Sequence, residues 1–598
     1  MQSACGLDCY DACRILVKND NPFKIEGDLA HPPGNGALCV KLNRYISEVP
    51  RIEKPRIDGA EVSIEEALQA AAEAFRNKTA LLWRGSGNVG VMQEITNLFM
   101  EKIGGSLTEG SLCDGAGEAG ILAGRGVNKM LPLEQIQKAE TVVVWGRNIT
   151  LTNAHLMPYL EGKKIVVIDP VKIPLAKKAD FHLQIRPRTD YYVAILLARF
   201  IFMENSEDKI WLDRFASSYE DFYEYTREHR IKAILEHIGI TLEDMGHMLE
   251  YLRHQRVVFL VGVGVQKYTT GSYVLHAIDS LAATIGLFGK EGCGVGYLGD
   301  SKGGFDNPFA VKCSRVSKVA TPFSRFETVL VQGGNPAESM PDSTNVCKEL
   351  DGVENLIYFG LYENETSKKA KIVIPAKNFF EKEDVRLSYG HHYVEPMHKI
   401  KEVSFGISEY DFTKKLFDAF GLDGLQSEEH YLQYWLDQCK QDEACNFMTP
   451  AYEVLPYKNG FGEDGEGEFE FIEDYSDDFI DTKHFKRYRK KAEEETGEPV
   501  FYLISSKASK SLNTQFVRDD MVQLHPDLGY IEGEAVCVSS EYGSCKLIVG
   551  LNENVRHDCV LITNNTKNIN RLTPSIISEE GKSACYQEVK VRINKDKQ

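Results

Sequence analysis

Cys5, Cys9 and Cys13 recur with three residues between each, and Cys39 follows after twenty-five more. Four thiolates are the full ligand set of a [4Fe–4S] cube, and soft sulfur also suits zinc. Zinc sites usually pair their ligands in two Cys-x2-Cys knuckles, whereas three close cysteines and a remote fourth are the habit of cubane clusters. A third reading is four unrelated buried thiols. Lys41, two residues past the last cysteine, is either an ordinary surface lysine or an ammonium standing between the cluster and a second redox centre. Gly85-Ser86-Gly87-Asn88-Val89-Gly90 is a G-x-G-x-x-G loop between an apolar run and a helical pattern, with Glu109 about twenty residues on. Such loops present backbone N–H groups at a helix N-terminus without Cβ obstruction, which suits a phosphate; read alone, this one suggests NAD. Cys113 occupies a further Gly-rich turn, where a lone cysteine is most simply a small buried hydrophobe.

These residues need a scaffold, and the chain is long enough for several cores: 598 residues, 43% hydrophobic, 26% charged, with 49 Gly against 21 Pro. Apolar runs at Ala80–Trp83, Thr141–Trp145, Lys164–Ile168, Val257–Val261, Thr328–Val331, Asn355–Phe359 and Lys371–Ile374 read as buried strands. Helical patterns lie between them (Ile64–Phe75, Met92–Ile103, Tyr191–Phe202, Tyr273–Ile285), so an α/β fold with mostly parallel sheets is expected, binding at the carboxyl ends of its strands. From Val500 onward short β-rich runs (Phe501–Ile504, Ala535–Ser539, Cys545–Val549, Cys559–Thr563, Glu588–Ile593) read as a separate six-stranded-type β-barrel. The expected division is a small iron–sulfur domain (1–55), a discontinuous α/β domain (56–139 plus 326–425), a second α/β domain (140–325), an acidic connection (426–499) and the barrel (500–598).

Composition also excludes partners. The net charge of −19 argues against DNA, whose phosphates need clustered Lys and Arg. No window approaches eighteen uninterrupted apolar residues, and the N-terminus lacks a basic, apolar or twin-Arg signal, so a cytoplasmic location is expected. In that reducing compartment the 14 cysteines ask for metal or burial rather than disulfides. Nine of them, Cys293, Cys313, Cys347, Cys439, Cys445, Cys537, Cys545, Cys559 and Cys585, lack metal spacing.

The run from Ala4 to Cys13, continuing through Ile25-Glu26-Gly27-Asp28 and His31-Pro32 to Ala37-Leu38-Cys39-Val40-Lys41, resembles the iron–sulfur head of the molybdopterin oxidoreductases of the dimethyl sulfoxide reductase and formate dehydrogenase superfamily. Trp145-Gly146-Arg147-Asn148, Val167-Ile168-Asp169-Pro170, Ile185 to Asp190, Gly333-Gly334-Asn335-Pro336, Phe380-Glu381 and Asn570 to Pro574 follow in the family's order. The resemblance implies molybdenum or tungsten held by two molybdopterin guanine dinucleotides, a [4Fe–4S] cluster on Cys5, Cys9, Cys13 and Cys39, and Cys113 as a protein ligand to the metal. Asp114 and Lys41 would assist the reaction. Cofactor contacts are then expected from Gly87, Asn88, Arg147, Asn148, Asp169, Arg186, Asp190, Gly264, Gln266, Gly334, Asn335, Glu365, His391, Asn565 and Arg571. Asp can accept from ribose or the guanine edge, and Arg can hold phosphate, although for any single residue a cap or salt bridge is as ready a reading.

Two departures bear on this. Formate dehydrogenases carry His after the metal ligand, where this chain has Asp114, which weakens the case for formate. Ala370-Lys371 stands where the family usually has Ala-Asp, which puts a guanine contact there in question. The resemblance implies a two-electron oxidoreductase, or an oxo-transfer enzyme, acting on a small molecule and passing electrons to an iron–sulfur, flavin or quinone-linked partner. The rival is a pterin-free electron relay similar to the large subunit of respiratory complex I. Substrate, choice of metal, partner and oligomeric state are not encoded in these motifs.

Overall fold

The computed structural model describes residues 1–20, 23–228, 230–441, 447–473 and 499–595. Cys445, the basic stretch Lys483–Lys491 and most of the expected connection's second half lie outside the described residues. The chain divides into two compact units: 1–110, 301–452 and 507–518 form the first, and 111–300, 453–506 and 519–598 the second.

In the first unit, Gln2–Ala4, Arg14–Asp20 and Phe23–Gly27 form an antiparallel sheet. A larger sheet orders its strands Ser314–Ser317, Ser106–Glu109, Ala80–Arg84, Thr328–Gln332, Asn355–Gly360, Ile372–Pro375, Arg56–Ile57 and Ala60–Glu61. The first six run parallel, and the last two form an antiparallel edge. Its central strands are buried and mostly apolar (ALLW, TVLV, NLIYF), as expected where helices cover both faces of a parallel sheet. Helix Ile64–Phe75 starts on a capping box, in which Ser63 and Glu66 satisfy each other's backbone N–H, and buries Ala67, Leu68, Ala71, Ala72 and Phe75.

The second unit has a parallel sheet ordered Phe181–Leu183, Lys164–Ile168, Thr141–Trp145, Val257–Val261, Gly294–Gly296. Its two middle strands, TVVVW and VVFLV, are entirely buried. The same unit contains the closed barrel, ordered Val500–Ser506, Cys559–Thr563, Met521–Leu524, Ser544–Leu551, Ala535–Ser539, Lys590–Lys595. Alternate residues fill it: Phe501 and Leu503, Val522 and Leu524, Val536 and Val538, Leu547 and Val549, Val560 and Ile562, Val591 and Ile593. The mixed α/β architecture with a terminal six-stranded barrel is therefore the one expected. Met521–Leu524 completes the barrel without having stood out in the sequence. Among the described residues, no helix is long and apolar enough to cross a membrane.

Candidate functional site

The N-terminal cysteines lie on the first unit's small sheet and the loops beside it. Cys5 and Cys13 are buried, and Cys9 and Cys39 are half-buried. Cys5 N donates to Cys13 O (2.9 Å), which folds the loop back on itself. Burial, then the neighbouring Cys39, pushes the Cys5 thiol up to about 12. Burial, with Asp11 next for Cys9 and Cys5 next for Cys13, drives those two thiols well up. Each of these three feels Cys39, so the four sulfurs share one electrostatic neighbourhood that suits a cationic iron cluster. Four sulfurs around zinc stand about 3.8 Å apart, from bonds of about 2.3 Å. Among the described residues no three of these cysteines bring their ligand atoms within 4.8 Å of one another. The four sulfurs are thus spaced more widely than the corners of a zinc tetrahedron.

The loop is held from a distant part of the chain. Arg386, buried, donates to Cys5 O (3.1 Å), Leu7 O (3.2 Å) and Cys9 O (3.0 Å). Ser388 Oγ donates to Tyr10 O (2.6 Å), Tyr389 OH to Asp8 Oδ1 (3.1 Å), and His391 Nε2 to Asp11 O (2.9 Å). His391 thus braces the cysteine loop. Arg386 carried no signal in the sequence, because an isolated arginine near a short strand has many structural uses. Lys41 opens a π-helical turn, Lys41–Tyr45, directly after Cys39 and Val40.

Most of the remaining expected residues gather at two topological switch points. In the first unit the strand order reverses between Ala80–Arg84 and Thr328–Gln332, and there the loops Gly85–Gly90 and Gly333–Asn335 meet. A Cβ on Gly85 or Gly87 would stand 2.6 or 2.5 Å from Gly333 O, and one on Gly334 would strike Trp83. Glycine here allows two backbones to touch. Three buried atoms at this point, Trp83 Nε1, Asn88 Oδ1 and Gln332 Oε1, have no hydrogen-bond partner. Asn88 Nδ2 is committed to Lys377 O and Glu409 Oε1. Asn335 Nδ2 donates to Glu365 Oε2 (2.7 Å), and its Oδ1 accepts from Thr366 Oγ1 (2.9 Å). Lys371 lies at the amino end of Ile372–Pro375, where its Nζ reaches Asn355 Oδ1 (3.0 Å). That is the opposite end of the parallel strands from these loops.

The second unit repeats the arrangement between Thr141–Trp145 and Val257–Val261, with Gly146–Asn148 against Gly262–Gln266. A Cβ on Gly262 or Gly264 would stand 2.3 or 2.8 Å from Gly146 O. Arg147 donates to Asn153 Oδ1 (2.8 Å), and Asn148 Oδ1 accepts from Thr150 Oγ1 (2.6 Å). Asp190 accepts from Trp145 Nε1 (2.7 Å), and burial lifts its carboxyl to about 6. Burial likewise raises Asp169, which follows the neighbouring strand, to about 7. Arg186 reaches Asp558 (3.3 Å) and Glu236 O (3.2 Å). In the barrel, Asn565 is buried with Oδ1 accepting from Thr563 Oγ1 (2.7 Å), and Arg571 is exposed.

Cys113, exposed, lies in a turn that this second switch point grips. Gln266 Nε2 donates to Cys113 O (2.5 Å) while Gln266 Oε1 accepts from Gly117 N (3.0 Å). Lys267 Nζ donates to Leu112 O (2.9 Å) and to Cys113 O. Ser111 Oγ accepts from Cys113 N (2.9 Å) and Asp114 N (3.1 Å) and donates to Asp114 Oδ1 (2.7 Å). Asp114 therefore closes the turn from inside. The helices that follow the two loops, Gly115–Arg125 and Gly271–Thr284, pack so closely that a Cβ on Gly120 would stand 2.1 Å from Ser272 O. Arg125 and Asp279 lock them with a buried two-point ion pair. Tyr586 also stands near the thiol: burial, then Cys113, raises its phenol, and Lys267 Nζ lies 5.4 Å from its ring. Neither residue stood out in the sequence, although Lys267 directly follows the expected contact Gln266.

A family model of molybdopterin oxidoreductases matches residues 51–403, more than half of the chain. The chain belongs to this family. It is similar to the probable oxidoreductase YyaE of Bacillus subtilis (strain 168), at 27% identity over 72% of this chain and 73% of that protein. It is also similar to the probable oxidoreductase YoaE of the same organism, at 23% over 99% and 98%. Its fold resembles that of acetylene hydratase from Pelobacter acetylenicus, with a TM-score of 0.79 over 99% of this chain and 100% of that one, at 14% identity. A molybdopterin oxidoreductase works with a molybdenum or tungsten pterin cofactor. The residues present fit one: paired glycine loops at both switch points, orphaned buried polar atoms at one of them, buried carboxyls beside the other, and a soft thiolate donor at Cys113.

Proposed function

We propose that this chain is the catalytic subunit of a two-electron oxidoreductase that holds molybdenum or tungsten between two molybdopterin guanine dinucleotides and passes electrons through one [4Fe–4S] cluster. The observation that carries the reading is the duplicated switch point: each unit presents one, built from glycine loops that touch backbone to backbone. One dinucleotide is assigned to Gly87, Gly334, Asn335 and Glu365, the other to Arg147, Asn148, Asp169, Arg186, Asp190 and Gly264. Asp169 and Asp190 suit a guanine edge or ribose hydroxyls, and Arg186 a phosphate.

When bound, the metal supplies the two-electron step on substrate. The chain's own work is to orient. Gln266 and Lys267 fix the carbonyl of Cys113, Ser111 and Asp114 fix its turn, and the thiol is thereby offered to the metal in one orientation. Lys267 and Tyr586 bring a positive charge and a phenol close to that thiol, a setting for a small anionic or polar substrate. Cys5, Cys9, Cys13 and Cys39 hold the cluster, with Lys41 as the neighbouring charge. An electron-accepting protein partner and a cytoplasmic setting complete the proposal.

Metal analysis of anaerobically purified protein, with release of guanine nucleotide on denaturation, tests it. One Mo or W per chain, two guanine nucleotides and about four Fe support the reading; iron alone indicates the pterin-free relay. A dye-linked screen of small oxidants and reductants, repeated with Cys113→Ala, then identifies the substrate.

A further inference from the structure

The barrel carries a second cluster of metal-ligating side chains that no step above uses. His525 follows the strand Met521–Leu524, Asp527 lies in the short turn Pro526–Leu528, and His557 comes just before Cys559–Thr563. These two strands are antiparallel neighbours, with Gln523 opposite Leu561, so the end of one and the start of the other share a barrel rim. That register brings together residues thirty apart in sequence.

Their donor atoms converge. Asp527 Oδ2 lies 3.2 Å from His557 Nε2 and 3.6 Å from His525 Nδ1, and one ligand atom of each residue lies within 4.8 Å of the other two. The two imidazole rings stand 3.8 Å apart between centroids. Ligands on a tetrahedral zinc-like ion, with bonds of about 2.1 Å, are spaced about 3.4 Å from one another. The two measured edges, 3.2 and 3.6 Å, bracket that spacing.

A simple hydrogen-bonded pair does not account for the whole arrangement. His525 Nδ1 accepts from Asp527 N (3.2 Å) and faces Asp527 Oδ2 across 3.6 Å, so a cation seated between nitrogen and carboxylate would take a donor from each. Binding would exchange the long capping contact for a coordinate bond.

We propose that His525, Asp527 and His557 form a binding site for one divalent transition cation of the zinc, cobalt and nickel class. Two imidazoles and one carboxylate match borderline cations rather than Mg²⁺ or Ca²⁺, which take all-oxygen shells. His525 is largely buried and the other two are exposed (side-chain exposure 17%, 74% for Asp527 and 61% for His557), so the ion enters from solvent and keeps water in its remaining positions. The bound ion ties together the ends of two neighbouring barrel strands and stabilises the fold by mass action.

The test uses the holo-protein after dialysis against a chelating resin, titrated calorimetrically with Co²⁺ and Zn²⁺ and followed by visible absorption and thermal unfolding. One equivalent of Co²⁺ should bind without a thiolate-to-cobalt charge-transfer band, and Zn²⁺ should raise the melting temperature. His557→Ala and Asp527→Asn, both at exposed positions, should weaken that equivalent at least tenfold while far-UV circular dichroism and iron content stay as in the parent. Absence of binding in the parent, unchanged binding in both variants, or a cobalt spectrum with thiolate bands overturns the proposal.

Discussion

One amide spans the turn that carries the exposed thiol: Gln266 gives its Nε2–H to the carbonyl of Cys113 and takes the N–H of Gly117 on its oxygen. Two loops that end different strands are thereby locked in register around Cys113.

Replacing that amide tests whether the lock serves the metal. Gln266→Ala leaves the Gly117 amide unpaired and the Cys113 carbonyl with Lys267 as its donor, a local cost of about 1–3 kcal/mol. Mo or W per chain, measured by plasma mass spectrometry, is expected to fall several-fold with iron unchanged. Cys113→Ala should lower turnover at least a hundredfold. Full metal occupancy and activity in both variants would remove Cys113 from the site.

Arg386 is expected to matter as much to the cluster as a ligand does. Arg386→Leu strips three carbonyls of the cysteine loop of their common donor, costing on the order of 3 kcal/mol. Lysine cannot span the same fork, so Arg386→Lys should also lose iron and the reduced-cluster EPR signal, though less completely. Retention of both in Arg386→Leu would show that the loop holds itself.

Asp169 gives the pterin-free chain a pH dependence of known sign. Burial, aided by Asp190, raises its carboxyl from 3.8 to about 7, against the opposing Val171 N–H bond. The folded state therefore disfavours the charged form. Its relative stability is full below about 3.8, declines as pH rises through the interval to about 7, and stays reduced above it. Asp169→Asn should match the parent near pH 4 and melt higher than it at pH 8. An equal difference at both pH values would contradict this.

The Arg125–Asp279 pair should be worth more broken than kept. Asp279→Ala leaves a buried guanidinium without its anion and should cost about 3–5 kcal/mol, read as a loss of thermal stability. The double change Arg125→Met with Asp279→Leu should recover much of it.

The parts of this molecule that were legible are those where local chemistry and fold agree. Thr141–Trp145 and Val257–Val261 are continuous apolar runs because both faces of their sheet are covered, and the glycines that follow mark where the chain must turn without side chains. Helix Ile64–Phe75 announced itself by the spacing of its apolar residues, and its serine cap appears in the structure. The helical pattern at Met92–Ile103 was read whole, but Gly90 sits against Asp384 and the segment opens as a 3-10 turn, Val91–Glu94, before the α-helix Thr96–Lys102. Arg386, Tyr586 and the contact of His391 with Asp11 were hidden because each acts across hundreds of residues of chain. Spacing along the chain carries no trace of such contacts. Asn88 is divided: its Nδ2 is spent on Lys377 and Glu409, while its buried Oδ1 has no hydrogen-bond partner.

The brace on the cysteine loop also sets an order of events in the cell. Cys5, Cys9 and Cys13 leave the ribosome hundreds of residues ahead of Arg386, Ser388 and His391, so the carbonyls between them find their donors only when those residues have been made. At about 5–20 residues per second, translation leaves that head unsupported for tens of seconds. Iron delivered in that interval would meet a loop without its brace, so insertion of the proposed cluster belongs after synthesis of the strand that ends in Arg386, and a truncated chain lacking that strand should emerge colourless.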